Sequence, residues 1–471
     1  MNELRTRLQK ELGDRVRTDA EVLSAHRHDR WVLSDLLDVE GRPGPQPIAV
    51  VEARSTHDVQ RTLRLCRELR VPVVPFGGGS GVCGAIRAGE GEVVLALRAL
   101  EGLVALDDTN LTASFRAGTL GSEAEQRVQQ AGLTIGNWPQ SIDVSTVGGW
   151  VATRAAGQYS TGYGNIEDMV LALEVVLPDG SLLRTRATPR AAAGPDLRQL
   201  FLGSEGSLGV VTEVTFSLRA LPEASQGQAF HFASFNDGFE SIRKLMRVGW
   251  RPPVVRLYDA PESQRHFRDH CPDGRHLLLL LHEGPSAAVA VECEGVAAIC
   301  REQNGVESDP RAVDHWLDER NKVPSLRGLL EKGIVADTIE VASTWDRIGR
   351  LYEEAMSSLA KVPDLLLASA HSSHSYRSGT NLYITFAVQP QDPARMQQSY
   401  RECWERTMSA TLSVGGGISH HHGIGRVRRA LLSQEIGETG VEVLRAVKRA
   451  LDPDSLLNPG ALLPDAVSDD E

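Results

Sequence analysis

The chain has 471 residues, more than one hydrophobic core usually supports, so two or more domains are expected. Its formal net charge of -12 argues against a nucleic-acid partner, because binding to phosphates needs clustered Lys and Arg. The longest apolar run, Leu277 to Leu281, is far too short to cross a bilayer. Scattered cysteines without a Cys-x-x-Cys pair indicate a reducing compartment, so we expect a cytoplasmic enzyme.

The first half of the chain predicts a short helical segment followed by an α/β domain. Residues 1 to 45 are predicted to be helical and then loop-rich, and residues 46 to 224 form the next domain. Pro47 to Val51 predicts a strand, His57 to Leu69 an amphipathic helix, and Val71 to Pro75 a second strand.

The second half predicts an α+β domain of ferredoxin-like type over residues 225 to 410 and a C-terminal segment over residues 411 to 471. Strands at His276 to Leu281 and Leu382 to Val388 alternate with longer helices, which are predicted over Trp345 to Lys361 and Pro393 to Ala410. The C-terminal segment combines a glycine–histidine loop with a helix. The fold class predicted for the whole chain is α+β.

A glycine-rich loop, Pro75 to Gly84, follows the second predicted strand. Glycines without Cβ atoms let backbone N–H groups approach an anion such as a pyrophosphate. The loop is neither a Walker loop nor a Rossmann fingerprint, and taken alone it is better explained as a tight surface turn. Two later glycine–hydroxyl clusters, Ser145 to Gly157 and Gly203 to Val211, favour one extended surface for phosphates and a flat ring system.

These motifs in this order resemble the vanillyl-alcohol-oxidase-type FAD-binding superfamily, from about residue 45 to the C-terminus. Within it, Gly162 to Asp168 and Gly416 to Gly425 resemble the alkyldihydroxyacetonephosphate synthase (alkylglycerone-phosphate synthase) branch. The resemblance implies a PCMH-type FAD-binding domain of two subdomains, a substrate (cap) domain and a helical C-terminal segment.

The resemblance also implies the residues that hold FAD. Many superfamily members attach the flavin to a histidine in the first glycine loop, and no histidine stands there in this chain, so non-covalent FAD is expected. The implied contacts are Pro75, Phe76, Gly77, Gly78, Gly79, Ser80, Gly81, Gln140, Ser141, Asp143, Ser145, Thr146, Ala152, Thr153, Arg154, Ala155, Glu205, Gly206, Ser207, Gly209, Val210 and Val211.

The synthase branch exchanges the acyl chain of acyl-dihydroxyacetone phosphate for a fatty alcohol, an ether-lipid reaction in which flavin N5 holds the substrate carbon. By resemblance, Tyr383 is the catalytic tyrosine, Arg256 lies beside the flavin and Arg327 binds the substrate phosphate. The run His420, His421 and His422 matches an essential histidine motif.

The residue types suit such chemistry. Histidine exchanges protons near neutral pH, and a guanidinium offers paired donors to a phosphate without losing its charge. Each also has an ordinary explanation. The histidines fit a solvated loop or an adventitious metal site, the tyrosine fits a core position in a strand, and the two arginines fit surface charges.

The main alternative is an FAD-linked D-2-hydroxyacid dehydrogenase or oxidase of the glycolate or D-lactate type. Such relatives carry metal-ligand histidines and a glutamate, whereas this chain has Tyr383 and His421 at the matching positions. No metal is therefore expected. Two departures from the synthase pattern are Asn137, where a histidine is expected near the flavin, and Gly328, where an aspartate often follows the arginine.

A further alternative is a flavin-binding subunit without turnover. The expected partners are a lipid-phosphate substrate and a fatty alcohol, with no nucleic acid. A homodimer and a transient peripheral contact with a membrane surface stay open hypotheses without a motif behind them.

Overall fold

The computed structural model describes residues 2–322 and 326–464. The first unit is built on a four-stranded sheet in the order β1-β2-β4-β3, in which β2, β3 and β4 are parallel. Its elements are α1 (Asn2–Leu12), a 3-10 turn (Gly13–Arg15), β1 (Val16–Arg17), α2 (Ala20–Ala25), α3 (Val32–Val39), β2 (Ala49–Glu52), α4 (Thr56–Glu68), β3 (Val73–Phe76) and β4 (Val93–Ala96).

The second unit carries a five-stranded antiparallel sheet in the order β5-β6-β10-β8-β9, and a small two-stranded sheet pairs β7 with β11. Its elements are β5 (Leu103–Asp107), β6 (Thr112–Arg116), α5 (Gly121–Gln129), β7 (Leu133–Thr134), α6 (Val147–Thr153), α7 (Ser160–Tyr163), α8 (Ile166–Met169), β8 (Val170–Val176), β9 (Leu182–Arg184), α9 (Arg198–Phe201), β10 (Val210–Ser217) and β11 (Arg219–Ala220).

The third unit carries a seven-stranded antiparallel sheet in the order β15-β12-β14-β13-β17-β18-β16. Its elements, with the C-terminal helix, are β12 (Ala224–Phe232), α10 (Phe235–Val248), β13 (Val254–Tyr258), α11 (Ala260–His266), β14 (His276–Gly284), α12 (Ser286–Glu302), β15 (Val306–Glu307), α13 (Arg311–Glu319), α14 (Arg327–Leu330), β16 (Val335–Thr344), α15 (Ile348–Leu359), β17 (Leu365–Ser372), β18 (Gly379–Val388), 3-10 turns (Pro393–Arg395 and Arg429–Leu431), α16 (Met396–Ser413) and α17 (Leu432–Leu451).

The amphipathic helix predicted after the first strand is α4, and its limits follow from local chemistry. The Ser55 hydroxyl accepts a hydrogen bond from the Asp58 N–H at 3.1 Å and so caps the helix. Val59, Leu63 and Cys66 recur at spacings of four and three residues and are buried. The helix covers one side of the parallel strands because this stripe is apolar.

The chain termini are integrated into the larger units rather than standing apart. The N-terminal segment pairs β1 with β2, and the Trp31 indole donates to the Tyr400 hydroxyl at 3.0 Å, which joins it to the third unit. The C-terminal segment returns to the first unit, where the Val73 N–H donates to the Leu456 carbonyl at 2.8 Å.

The α+β fold class predicted from the sequence is confirmed, and the main corrections concern element ends. The helix predicted from Trp345 begins at Ile348, and the one predicted from Pro393 starts with a 3-10 turn before Met396. All six cysteines are buried and free. No helix among the described residues has the length and apolar character needed to span a membrane.

Candidate functional site

The glycine loop after β3 packs against the segment that precedes α6. A Cβ atom on Gly78 would lie 2.0 Å from the Val144 carbonyl oxygen, and one on Gly77 would lie 2.7 Å from Thr146 Oγ1. Gly79 has a φ of +64°, which disfavours any residue with a side chain. Two of the predicted cofactor segments therefore form one wall, and the wall needs glycine.

A third predicted segment is hydrogen-bonded to the end of α6. The Glu205 N–H donates to the Ala152 carbonyl at 2.8 Å, and the Gly203 N–H donates to that of Val151 at 2.9 Å. Arg154 and Glu205 both adopt a positive φ, at 58° and 51°, which is uncommon outside glycine. Such conformations cluster at ligand sites, so they support a binding role for these turns.

The carboxylate of Glu205 ties the predicted cofactor region to the C-terminal histidine segment. It accepts hydrogen bonds from the backbone N–H groups of Ile424, at 2.6 Å, and Gly425, at 2.9 Å. Burial raises the pKa of Glu205 to about 7, although these N–H groups oppose the shift. The Arg426 N–H donates to the Cys83 carbonyl at 2.9 Å, so this segment also holds the far end of the glycine loop.

The predicted cofactor residues differ in how accessible they are. Gln140, Asp143 and Arg154 are exposed, whereas the run from Gly209 to Val211 is buried at the start of β10. A Cβ atom on Gly209 would lie 2.6 Å from Val175 Cγ1, so the glycine is required for packing there. Their roles toward FAD stay predictions.

The side chain of Asn137 supports the fit of a large polar ligand. Asn137 is fully buried, yet neither Oδ1 nor Nδ2 has a hydrogen-bond partner in the part of the chain that the structure describes. An unpaired buried amide costs about 1–3 kcal/mol, so such groups normally face a ligand or water. Together with the wall that Gly77 and Gly78 form, this unpaired amide fits a cofactor that supplies both hydrogen-bond donors and acceptors.

The histidine loop is held by the carboxylate of Glu340 on β16. This carboxylate accepts hydrogen bonds from the backbone N–H groups of His420, at 2.5 Å, and His422, at 2.8 Å, and from the Ser419 hydroxyl at 3.2 Å. The buried guanidinium of Arg428 lies 3.2 Å from it. The loop therefore has a defined shape and is not a solvated histidine run.

The charge of Glu340 is maintained despite complete burial. Burial alone would raise the pKa of Glu340, but the neighbouring Arg428 guanidinium outweighs it and the pKa is lowered. Arg428 also donates to the Gly423 carbonyl and to Cys83 Sγ, each at 2.9 Å. Glu340 is therefore a structural anion that orders the loop at neutral pH.

A fourth histidine, His374, joins the loop from the connection between β17 and β18. Its ring lies 4.9 Å from the rings of both His420 and His421. His374 Nδ1 is 2.5 Å from the Ser160 hydroxyl, and His420 Nε2 is 2.7 Å from the Tyr376 hydroxyl. We call His374, His420 and His421 the imidazole group.

The imidazole group has the composition of a metal site. Ligand atoms of its three members lie within 4.8 Å of one another. In His374 and His420 the contacts with Ser160 and Tyr376 fix one ring nitrogen, and such second contacts typically orient metal-bound histidines. The expectation that no metal binds was made from Tyr383 and His421 without His374, and it stays a prediction.

Burial keeps these imidazoles neutral. It lowers the pKa of His420 to about 4 and that of His422 to about 3, and the pKa values of His374 and His421 also fall well below 6.5. Each ring then offers one lone pair to a proton or a metal near pH 7. Near pH 7 the site therefore contains neutral imidazoles rather than imidazolium ions.

Tyr383 lies on β18, which is paired with the edge strand β16 on one side and with β17 on the other. Its ring stacks on His371 with a centroid distance of 4.8 Å and on His421 at 6.1 Å. Burial raises the pKa of Tyr383 to about 12, so it is a phenol that donates a hydrogen bond at neutral pH. The sequence had grouped Tyr383 with the histidine run, and the structure brings them together.

Arg256 joins the same cluster from β13. Its Nε donates to the Tyr258 hydroxyl at 2.6 Å, and Nη2 lies 2.9 Å from His371 Nε2. Nη1 has no hydrogen-bond partner among residues 2–322 and 326–464, so it is available to an anion. Its guanidinium also lies 5.4 Å from the centre of the Trp316 ring.

Arg327 is separate from this cluster. It begins the short helix α14, its side chain is 55% exposed, and its ion-pair partner is Glu331 at 4.0 Å. Pro324 and Ser325, which were part of the predicted motif, lie outside the described residues. The structure does not bring Arg327 into contact with the other predicted catalytic residues, so its role in binding phosphate stays a prediction.

Sequence reasoning missed the residues that hold the predicted ones in place. These are His371, His374, Glu262, Glu340 and Arg428. One available signal was the pair His371 and His374, which follows an apolar run and precedes the strand of Tyr383. Glu262, Glu340 and Arg428 carry no local signal, because only the fold makes them neighbours.

Comparison with known proteins agrees with this architecture. The family model described as FAD linked oxidases, C-terminal domain, matches residues 221–462, which is more than half of the chain. The model described as FAD binding domain matches residues 47–186. The chain therefore belongs to the FAD-linked oxidase family and is an FAD-linked oxidoreductase.

The relatives of this chain include an uncharacterized oxidoreductase and enzymes of two named activities. It is 34% identical over 96% of both chains to the uncharacterized FAD-linked oxidoreductase YgcU of Escherichia coli. It is 28% identical to alkyldihydroxyacetonephosphate synthase of Dictyostelium discoideum, over 96% of this chain and 79% of that one.

A solved alkyldihydroxyacetonephosphate synthase structure superposes with a TM-score of 0.82 at 25% identity, over 98% of this chain and 85% of the other. Glycolate oxidase subunit GlcD of Bacillus subtilis is also 28% identical, over 88% of this chain and 89% of its own. The family is therefore established, while the synthase and hydroxyacid branches resemble this chain to a similar degree.

Proposed function

We propose that this FAD-linked enzyme catalyses an alkylglycerone-phosphate-synthase-like exchange, in which a fatty alcohol replaces the acyl chain of acyl-dihydroxyacetone phosphate. The observation that carries the proposal is the packing of Tyr383 between His371 and His421, with centroid distances of 4.8 and 6.1 Å. A phenol donor, neutral imidazole bases and the buried guanidinium of Arg256 thus converge. They match the demands of a ketone phosphate substrate.

The exchange is balanced without an external oxidant. The bond from carbon to the acyl oxygen breaks, a bond from that carbon to the alcohol oxygen forms, and the proton of the alcohol leaves with the fatty acid. The neutral imidazoles of His420 and His421 accept a hydrogen bond from the alcohol and pass its proton to the departing carboxylate. The phenol of Tyr383 donates a hydrogen bond to a substrate oxygen, and Nη1 of Arg256 attracts the substrate anion.

Bound FAD would supply the N5 atom that holds the substrate carbon in a synthase-like exchange, and an electron acceptor in a hydroxyacid dehydrogenase. The turns at residues 76–81, 144–149, 152–155 and 203–207 would hold it, with the unpaired amide of Asn137 as a further contact. Because residues 75–81 contain no histidine, we propose a non-covalent cofactor. Acid precipitation should release all of the yellow colour into the supernatant.

A second candidate, an FAD-linked D-2-hydroxyacid dehydrogenase, is favoured by one observation, the imidazole group of His374, His420 and His421. Three neutral imidazoles within 4.8 Å could hold a divalent metal, which would bind the hydroxyl and carboxylate of such a substrate. In that reaction the hydroxyl carbon would be oxidised to a ketone, with bound FAD as the two-electron acceptor.

An anaerobic titration of the purified flavoprotein separates the two candidates. Palmitoyl-dihydroxyacetone phosphate is added first, and D-lactate and glycolate are tested on separate samples, while the visible flavin spectrum is recorded. Bleaching by the acyl ketone phosphate, followed by ether product after hexadecanol is added, is the expected result. Bleaching by a hydroxyacid alone would reject the synthase proposal in favour of the second candidate.

A further inference from the structure

Arg256 is the end of a buried relay of three hydrogen-bonded residues in the third unit. Its Nη2 lies 2.9 Å from His371 Nε2, and His371 Nδ1 lies 3.0 Å from Oε1 of Glu262. The three residues come from β13, β17 and α11. Arg256, His371 and Glu262 are all buried, with 9%, 7% and 4% of their surfaces exposed.

The relay fixes the tautomer of His371. A guanidinium only donates hydrogen bonds, so His371 Nε2 must present its lone pair to Arg256. The remaining ring proton is then on Nδ1 and is donated to the Glu262 carboxylate. Burial lowers the pKa of His371, which agrees with a neutral ring between an anion and a cation.

Glu262 is itself held in one orientation. Its backbone N–H donates to Oδ1 of Asp259 at 2.9 Å, and Arg265 lies 3.5 Å from Oε1. The Ser369 hydroxyl donates to Oε2 at 3.4 Å. Burial would raise the pKa of Glu262, but the contact with His371 outweighs it and the carboxylate stays charged. The relay therefore ends in a carboxylate whose charge and orientation are both fixed.

We propose that Glu262 and His371 are positioning residues for Arg256, in which the Glu262 carboxylate sets the His371 tautomer and the imidazole sets the direction of the guanidinium. The ring of His371 also stacks on Tyr383, so one imidazole orients two groups of the site. This inference rests on the proposed function in one respect, that Arg256 and Tyr383 face the substrate. Neither Glu262 nor His371 touches the substrate in this scheme.

The first test needs no substrate. In protein labelled with ¹⁵N-histidine, the His371 signals, assigned by their loss in His371→Gln, should show a protonated Nδ1 and an unprotonated Nε2. Glu262→Ala should remove protection of the Nδ1 proton from exchange with water. A protonated Nε2 in the parent protein would overturn the proposal, because Arg256 could not then donate to it.

The second test measures coupling in the loaded enzyme. With the substrate that bleaches the flavin, Glu262→Gln should slow the reaction about tenfold, since misdirecting a positioned group is costly. In an Arg256→Ala background the same change should have less than about a twofold effect, because its target is gone. Additive losses in the two backgrounds would overturn the inference.

The chain offers a matched control in another buried histidine–glutamate pair. His282 is fully buried, and its Nδ1 lies 2.9 Å from Oε2 of Glu292, in the same domain but with no contact to Arg256. Glu292→Gln should leave the reaction rate unchanged at a similar loss of thermal stability. If it slowed the reaction as much as Glu262→Gln, the effect would be general destabilisation and the inference would fail.

Two variants, His371→Gln and His371→Phe, separate the hydrogen-bonding role of the imidazole from its packing role. Gln retains a donor and an acceptor and should recover part of the rate, whereas Phe keeps the ring packing against Tyr383 but loses both hydrogen bonds. Equal rates for the two variants would contradict a hydrogen-bonded relay. If neither class of substrate reacts with the flavin, the proposed function fails, and the ¹⁵N experiment still decides the relay.

Discussion

The guanidinium of Arg428 lies 3.2 Å from the carboxylate of Glu340, and neither side chain has any exposed surface. This pair joins the seven-stranded sheet to the loop that carries the candidate catalytic histidines. Two backbone N–H groups of that loop end on the same carboxylate, so the loop and the ion pair form one unit. The site is thus anchored by a charge that has no role in the chemistry itself.

Replacing Glu340 should destabilise the fold and disorder the histidine loop. Glu340→Gln leaves the buried Arg428 without an anion, which should lower the free energy of unfolding by about 3–5 kcal/mol. Urea unfolding of the flavoprotein measures the change. The control is Glu240→Gln, which breaks an ion pair with Arg243 on a solvent-facing helix and should cost less than about 1 kcal/mol. Equal losses of unfolding free energy in the two variants would mean that the buried pair stabilises the fold no more than the exposed pair does.

The stability of the apoprotein should depend on pH through Glu205. Its folded pKa is about 7, above the value of about 4.3 expected in an unfolded chain, so the folded state holds the proton more tightly. Stability from this group is therefore fully present below about pH 4 and is lost as the pH rises toward 7. Glu205→Gln should flatten this decline in urea unfolding experiments.

Asp29 has the same direction of shift, since burial raises its pKa to about 7. Asp29→Asn should therefore remove a further part of the decline, and the double variant should remove most of it. A decline that persists unchanged in both single variants would contradict these assignments.

Adding a single methyl group to the glycine wall should reduce the binding of FAD. Gly78→Ala places a Cβ 2.0 Å from the Val144 carbonyl oxygen, so the two loops must separate. The purified variant should contain little FAD by visible absorbance. Gly44→Ala is the matched control, because nothing lies within 4 Å of its added Cβ and its φ is not positive. Full FAD content in Gly78→Ala would show that this wall does not contact the cofactor.

Removing the hydroxyl of Tyr383 should affect the reaction more than the fold. Tyr383→Phe keeps the ring stacked on His371 but loses the donor, so we expect a fall in rate of about 10²–10⁴ with FAD content unchanged. Tyr400→Phe is the control, since that hydroxyl bonds to Asp337 at 2.9 Å outside the candidate site. It should lower stability and spare the rate.

Dialysis against a chelator tests the expectation that no metal binds. The synthase-like exchange needs no metal, so activity should be unchanged and elemental analysis should find no divalent metal. A loss of activity that is restored by Zn²⁺ or Mn²⁺, and that is absent in His374→Ala, would instead place a metal in the imidazole group. That result would favour the hydroxyacid dehydrogenase.

Local patterns in the sequence were sufficient for the architecture. The apolar stripe of the helix at residues 56–68 and the close contacts at Gly77 and Gly78 follow from periodicity and short-range sterics, so the α+β class could be predicted, while the contacts with FAD stay a prediction. Element ends shifted by a few residues, because caps and 3-10 turns decide them.

The positioning of the catalytic groups was decided only by the tertiary structure. Tyr383, Arg256 and His421 lie far apart in sequence. The strand order of the seven-stranded sheet brings the strands of Tyr383 and Arg256 close together, and Glu340 on β16 holds the loop of His421 beside them. The same order recruits His371, His374, Glu262 and Glu340, whose partners are remote in the chain. It also leaves Arg327 exposed on a short helix. Residue types and spacing determine which elements form, whereas the convergence of buried charges depends on how those elements pack.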